Sequence, residues 1–90
     1  MKYSIDEDGV ISVKVLYPRD VDAAVEEMVK HGFDFNGWDK DDKSATFYLD
    51  YTHIYSLTDV DEEEYEKNKN ALEGVADTFM KALSDYVTEM

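Results

Sequence analysis

The chain has 90 residues, a length that indicates one small domain (residues 1–90). It contains 22 Asp and Glu but only nine Lys and Arg, and its net charge of −13 repels nucleic acid and anionic membranes and attracts basic surfaces. The lack of cysteine excludes disulfides, thiolate metal sites and cysteine nucleophiles, and with only two histidines we expect neither a metal nor a cofactor. No apolar run reaches the roughly 18 residues of a membrane span, and the N-terminus does not resemble a signal peptide, so we expect a cytoplasmic protein.

Alternating apolar residues predict a β-hairpin at the start of the chain. Asp8 and Gly9 are typical of a two-residue turn, but that turn sets Ile5 opposite a polar residue. A three-residue loop over residues 7–9 sets Ile5 opposite Ile11 and keeps the apolar side chains on one face, as a half-buried sheet requires. The pattern therefore favours the longer loop, with Gly9 in a left-handed conformation.

A first helix is predicted over residues 20–31. Pro18 ends the strand before it because proline cannot donate to a ladder. Asp20 is a suitable N-cap, and Gly32 is a suitable residue to follow the last turn. One helical face is apolar, and its residues are Val21, Ala24, Val25, Met28 and Val29.

A second hairpin follows, with a polar loop over residues 39–43. Its apolar residues alternate along both strands, and they are Phe33, Phe35, Ala45, Phe47, Leu49 and Tyr51. Trp38 and Tyr48 have the opposite parity, so both rings are expected on the open face of a sheet that is covered on one side.

The last predicted element is a helix over residues 59–89, about 45 Å long, with Thr58 and Asp61 as a capping box. Its length leads us to expect that one end projects or meets a partner. An apolar stripe follows it, formed by a heptad of Tyr65, Leu72, Phe79 and Tyr86 with Val75, Ala76, Leu83, Val87 and Met90 beside it. Coiled-coil seams rarely use Phe and Tyr, so packing on the sheet is favoured over a dimer seam. The predicted fold is α+β, ββαββα, with a four-stranded antiparallel sheet and both helices on one face.

The strongest candidate for a functional surface is the acidic side of this last helix. Its residues are Asp59, Glu62, Glu63, Glu66, Glu73 and Asp77. They span about 27 Å of helix, a length over which one DNA strand carries about eight phosphates. Two simpler interpretations remain open: a solvated helix face, and first-turn acids that complement the helix dipole. Lys69 interrupts the row.

The polar loop of the second hairpin is a second candidate contact, through Asp39, Asp41 and Asp42. Asp39, Asp41 and Asp50 match positions 1, 3 and 12 of a calcium loop, but a lysine stands at position 5 and strands flank the loop. An acidic hairpin tip is therefore favoured over a metal site. His53 has no nucleophile in a recognisable context, and we expect the protein not to be an enzyme.

Exposed aromatic residues could anchor an interface, and the candidates are Trp38, Tyr48 and Tyr55. In size, acidity and lack of catalytic groups the whole chain resembles the small phage-encoded inhibitors of host nucleic-acid enzymes, the anti-CRISPR and anti-restriction proteins of DNA-mimic type. The resemblance implies an inhibitor in the host cytoplasm that occludes a basic surface of a nucleic-acid-binding enzyme or effector complex, without binding nucleic acid or membrane itself.

Two other functions fit the same charge. An immunity protein that neutralises a basic toxin or nuclease would depend more on Trp38 and Tyr48 than on the helix acids. A structural or assembly domain would form a homodimer through the long helix, rather than remain a monomer, and would need no basic partner. Reversing the helix acids separates the first function from the other two.

Overall fold

The computed structural model describes residues 1–33 and 35–89, and the chain folds as an α+β protein. Four strands form an antiparallel sheet in the order β1-β2-β5-β4. These strands are β1 (Lys2–Ile5), β2 (Ile11–Leu16), β4 (Phe35–Lys40) and β5 (Ser44–Leu49). The helices are α1 (Val21–Lys30) and α2 (Glu62–Leu83). A second, two-stranded sheet extends the predicted ββαββα order, and it pairs β3 (Pro18–Arg19) with β6 (Thr88–Glu89).

The first hairpin has the register that the apolar parity predicts. Ile5 lies opposite Ile11, and Gly9 has φ 99°, a conformation that L side chains rarely adopt. The Asp6 carboxylate accepts hydrogen bonds from the backbone N–H groups of residues 8–10, each 2.9 Å long, and so fixes the turn. A Cβ at Gly9 would lie 3.4 Å from the Leu72 side chain, so the turn packs directly against α2.

Helix α1 forms as predicted, but its N-terminus is not capped by a side chain. Asp20 occupies the N-cap position with φ 59°, and its carboxylate makes no capping hydrogen bond. At the other end Gly32 follows the C-cap His31, as predicted, and it has φ 79°. The Gly32 N–H donates to the Val29 carbonyl at 3.1 Å and the Phe33 N–H donates to the Met28 carbonyl at 3.4 Å. This pair of bonds is a Schellman motif, which satisfies the last carbonyls of the helix.

The prediction that Trp38 lies on the open face of the sheet is wrong. A β-bulge interrupts β4 between Phe35 and Gly37: the pairing moves two positions along β4 but only one position along β5. The parity of β4 changes at that point, and Trp38 pairs with Phe47. The two rings stack with centroids 6.2 Å apart and planes 19° apart, and Trp38 packs against the core. Tyr48, on the unbulged strand, does lie on the face opposite Phe47.

Helix α2 is shorter at both ends than predicted. It begins at Glu62 because Asp61 is the N-cap and its carboxylate accepts the Glu64 N–H at 2.8 Å; Thr58 has no part in this cap. It ends at Leu83, so its 22 residues extend about 33 Å, less than the 41 Å longest dimension of the molecule. The buried residues of α2 run from Asn68 to Leu83, and its first turn, residues 62–64, is exposed. Met90, placed in the apolar stripe, lies outside the described residues.

The core is one cluster of buried apolar side chains, to which β2, β5 and both helices contribute. Leu72 and Phe79 are fully buried, so the α2 heptad packs on the sheet and is not available as a dimer seam. Tyr86 follows the helix and is exposed, with its hydroxyl 3.5 Å from the His31 ring. The Phe79 ring contacts three further rings at centroid distances of 5.1 to 5.8 Å, those of Phe33, Phe35 and Phe47. On the opposite face of β2 and β5 the side chains are exposed or half-buried, and we call this the open, uncovered face of the sheet.

Candidate functional site

Five carboxylates form a row along one side of α2. This carboxylate row consists of Glu62, Glu63, Glu66, Glu73 and Asp77. At 3.6 residues per turn they fall within a sector of about 100°, and the buried residues of α2 are centred about 120° away. Four members are exposed and Glu73 is half-buried. Asp59, the sixth predicted residue, precedes the helix and has φ 58°, so it is not part of the row.

The row is not neutralised within the protein. Among residues 1–33 and 35–89 there are two ion pairs, the Met1 ammonium with Glu89 at 2.6 Å and Lys30 with Glu27 at 3.3 Å. Neither involves α2. Lys69, which interrupts the row in the sequence, lies about 20° outside the sector of the row, and its ammonium is 5.9 Å from the centroid of the Tyr65 ring. Lys67 flanks the row on its other side, beside Glu63, so the row is a negative surface bordered by two lysines, with no ion pair to any of its members among the described residues.

Local helix energetics explain only part of this row. Glu62 and Glu63 lie in the first turn, where negative charge complements the helix dipole. Glu73 and Asp77 lie in the second half of α2, where the dipole no longer favours them. They are also four residues apart, as are Glu62 and Glu66, and each such like-charged pair costs about 0.2–0.5 kcal/mol. Glu63 with Lys67 and Asp77 with Lys81 have the same spacing and opposite charge, and each of these pairs contributes a similar amount of stability.

Tyr3 on β1 borders the row, a neighbour that the sequence pattern did not reveal. Burial raises the pKa of Tyr3, and the negative charges of Asp77 and Glu73 raise it further. The phenol therefore remains protonated and adds a hydrogen-bond donor at the edge of the carboxylates. The C-terminal part of the row, Glu73 and Asp77, thus lies near β1.

The second predicted contact, at the tip of the β4–β5 hairpin, is separate from this row. The hairpin contains β4, the edge strand opposite β1. The Asp41 carboxylate is already engaged, since it accepts the N–H groups of Lys43 and Ser44 at 2.7 Å each, and these bonds lower the pKa of Asp41. Asp39 accepts the Tyr48 hydroxyl at 3.1 Å, and Asp42 is exposed. The acids of the helix and hairpin do not form one continuous surface.

The calcium-loop positions are not brought together either. Asp41 is in the β4–β5 turn, whereas Asp50 follows the far end of β5, about 17–20 Å along a six-residue strand. The Asp50 carboxylate accepts the Thr52 hydroxyl at 2.6 Å and the Thr52 N–H at 3.0 Å. No group of three or more His, Cys, Asp or Glu with a metal-binding arrangement occurs among the described residues.

The aromatic candidates differ in their surroundings. Trp38 and Tyr55 both pack partly against the core. Tyr48 is half-buried on the open sheet face, and its hydrogen bond to Asp39 raises the pKa of its hydroxyl. His53 stacks on Tyr51 with ring centroids 6.5 Å apart. Of the three predicted anchors, Tyr48 alone belongs to the uncovered face.

The fold and this surface define a small acidic α+β protein with an exposed, unpaired row of carboxylates on its long helix. No family model, no curated protein and no solved structure matches the chain. Within residues 1–33 and 35–89, no helix combines the length and the apolar character that crossing a membrane requires.

Proposed function

We propose that the protein is a non-enzymatic inhibitor that uses the carboxylate row to occupy a basic nucleic-acid-binding surface of a host defence or nucleic-acid enzyme. The observation that carries this proposal is the row itself: five carboxylates on one rigid helix, none ion-paired among the described residues. From Glu62 to Asp77 the helix rises about 22 Å, over which one DNA strand carries about six or seven phosphates at about 3.4 Å each. The charge density of the row is therefore close to that of a nucleic-acid strand.

The placement of Glu73 and Asp77 favours binding over a purely solubilising role. Solubility depends on net charge and is served by acids anywhere on the surface. Both residues lie beyond the first turn, so the helix dipole gives no reason for acids there, and lysines or arginines of a partner would pair with them. Tyr3 beside the pair supplies an aromatic donor of the kind that often anchors interfaces.

The immunity-protein alternative loses one of its two anchors because Trp38 packs on Phe47. Tyr48 remains on the open face, but it lies away from the row. The basic-surface inhibitor is therefore the function that these contacts favour, with Glu62, Glu63, Glu66, Glu73 and Asp77 as its contact residues. Asp39, Asp41 and Asp42 belong to a separate part of the surface.

The test is displacement of a fluorescent DNA duplex from CRISPR effector complexes and restriction enzymes, followed by fluorescence anisotropy at low and then high salt. We expect stoichiometric displacement by the protein from at least one of them, weakened by salt. The double variant Glu66→Lys with Glu73→Lys should weaken displacement about 30-fold, since two lost pairs and two new repulsions amount to roughly 2 kcal/mol.

The matched control carries the same change of charge elsewhere: Asp22→Lys with Glu26→Lys, two exposed acids of α1. This variant should displace the duplex within about threefold of the native protein. Equal weakening by both double variants would show that only net charge matters and that the row has no specific role. Absence of displacement across the panel would overturn this function.

A further inference from the structure

A shallow depression of about 580 Å³ lies on the uncovered face of the main sheet, where β2 ends beside the β4–β5 turn. Its apolar lining comes from Leu16 and Tyr17, which are 46% and 49% exposed. Its charged lining comes from two lysines and two aspartates, which are Lys14, Lys43, Asp41 and Asp42. We call these six residues the open-face patch.

The backbone brings the two apolar side chains together. Val15 is buried and Leu16 is exposed, so the alternation of β2 would turn Tyr17 back toward the core. Tyr17 instead has φ 49°, and its N–H donates to the Lys43 carbonyl at 2.8 Å. Its ring is exposed beside Leu16. A bulky residue in the left-handed region is a conformational outlier, and such outliers concentrate at functional sites.

The patch is also electrically distinct from the rest of the molecule. Its two lysines and two aspartates sum to zero, whereas the whole chain carries −13. Lys14 and Lys43 make no ion pair within the described residues, and neither does the exposed Asp42. A surface with both signs of charge around an apolar centre can be complementary to itself, which a two-fold interface requires.

We propose that the open-face patch binds the same patch of a second copy and forms a two-fold homodimer. Leu16 and Tyr17 would form its apolar centre, with lysines of one copy facing aspartates of the other. The two carboxylate rows would point outward, because α2 packs against the other face of each sheet. The sheets would separate the rows by more than the screening length of about 8 Å at physiological ionic strength, so their repulsion is weak.

This inference stands without the proposed function, and it adds to it by making the inhibitor bivalent. The dimer uses a different surface from the α2 heptad, whose Leu72 and Phe79 are buried in each protomer. Two outward carboxylate rows would bind two basic sites or one two-fold symmetric enzyme.

Sedimentation velocity of the full chain between about 5 and about 500 µM tests the proposal. We expect the mass to rise from 10.4 kDa toward twice that value, and to go no higher. Leu16→Glu should weaken the association about tenfold or more, because it introduces a charge into the apolar centre. The control Ile54→Glu changes a side chain that is 56% exposed and outside the patch, and it should leave the association unchanged.

Amide chemical shifts of the unmodified protein give a second readout that does not depend on a variant folding. On dilution, the shifting resonances should map to residues 14–17 and 41–44. A constant mass of 10.4 kDa, a mass that grows beyond a dimer, or shifts confined to α2 would each overturn the proposal. Glu66→Lys with Glu73→Lys should leave dimerisation intact, so failure of the carboxylate-row function and failure of the dimer are distinguishable.

Discussion

Gly37 decides on which face of the sheet the single tryptophan lies, and its replacement by alanine tests that role. Gly37 has φ 123°, and no heavy atom of residues 1–33 or 35–89 lies within 4 Å of the position that a Cβ would take. The cost of Gly37→Ala is therefore backbone strain without a steric clash, about 1–3 kcal/mol. For a domain of this size, each kcal/mol lowers Tm by about 4–8 °C, so the expected loss is about 4–24 °C.

Gly74→Ala is the matched control, because the side-chain change is the same and the surrounding space is equally open. Gly74 lies inside α2 and has no positive φ, so alanine should raise the free energy of unfolding by up to about 1 kcal/mol. Thermal unfolding followed by circular dichroism measures both variants. Trp38 fluorescence reports whether the ring leaves Phe47, since a relaxed bulge would expose the indole to water.

The reasoning is refuted if Gly37→Ala keeps Tm within about 2 °C of the native value, or raises it as Gly74→Ala should. Either result would mean that the β4 bulge does not require glycine. A lowered Tm with unchanged Trp38 emission would mean that alanine strains the backbone at residue 37 but that Trp38 stays packed on Phe47.

Two further predictions concern single side-chain contacts. Asp61→Ala should lower the free energy of unfolding, measured in urea, by about 1 kcal/mol because it removes the N-cap of α2. Thr58→Ala, at the cap position suggested by the sequence, should change this free energy by less than about 0.5 kcal/mol. Equal losses in the two variants would contradict the assignment of Asp61 as the cap. The hydrogen bonds from Thr52 hold the pKa of Asp50 below its usual value of 3.8, so they contribute stability that is present above that pH and is lost as pH falls through the lowered pKa. Thr52→Val, measured by urea unfolding at a series of acidic pH values, should flatten this dependence, and an unchanged slope would contradict it.

The elements set by local chemistry could be predicted from the sequence. The register of the first hairpin follows from the need to keep Ile5 and Ile11 on one face, and the structure confirms it. The end of α1 follows from Gly32, which can adopt the left-handed conformation of a Schellman motif. Both features depend on a few neighbouring residues, so the sequence contains the necessary information. The carboxylates of the row could likewise be assigned to one side of α2, because their spacing in the sequence determines the helix face on which they lie.

Features set by distant contacts could not be predicted. The apolar period of α2 continues to Tyr86, yet the chain turns after Leu83 so that β6 can pair with β3. The bulge in β4 inverts the parity of Trp38, and Gly37 alone marks it in the sequence, although glycine within a strand can equally mark a bend or the close approach of another backbone. The open-face patch depends on the conformation of Tyr17, which strand alternation predicts incorrectly.

The two proposed surfaces lie on opposite faces of one sheet, and this separation follows from how the fold distributes charge. Helix α2 packs against β1 and β2 and carries the carboxylate row, so that side of the molecule repels a second copy. The uncovered face has mixed charges and exposed apolar side chains, so two copies approach there with the least repulsion. A basic partner meets the reverse situation, since attraction is strongest at α2. If both proposals hold, the same charge distribution directs a basic partner to the helix and a second copy to the sheet.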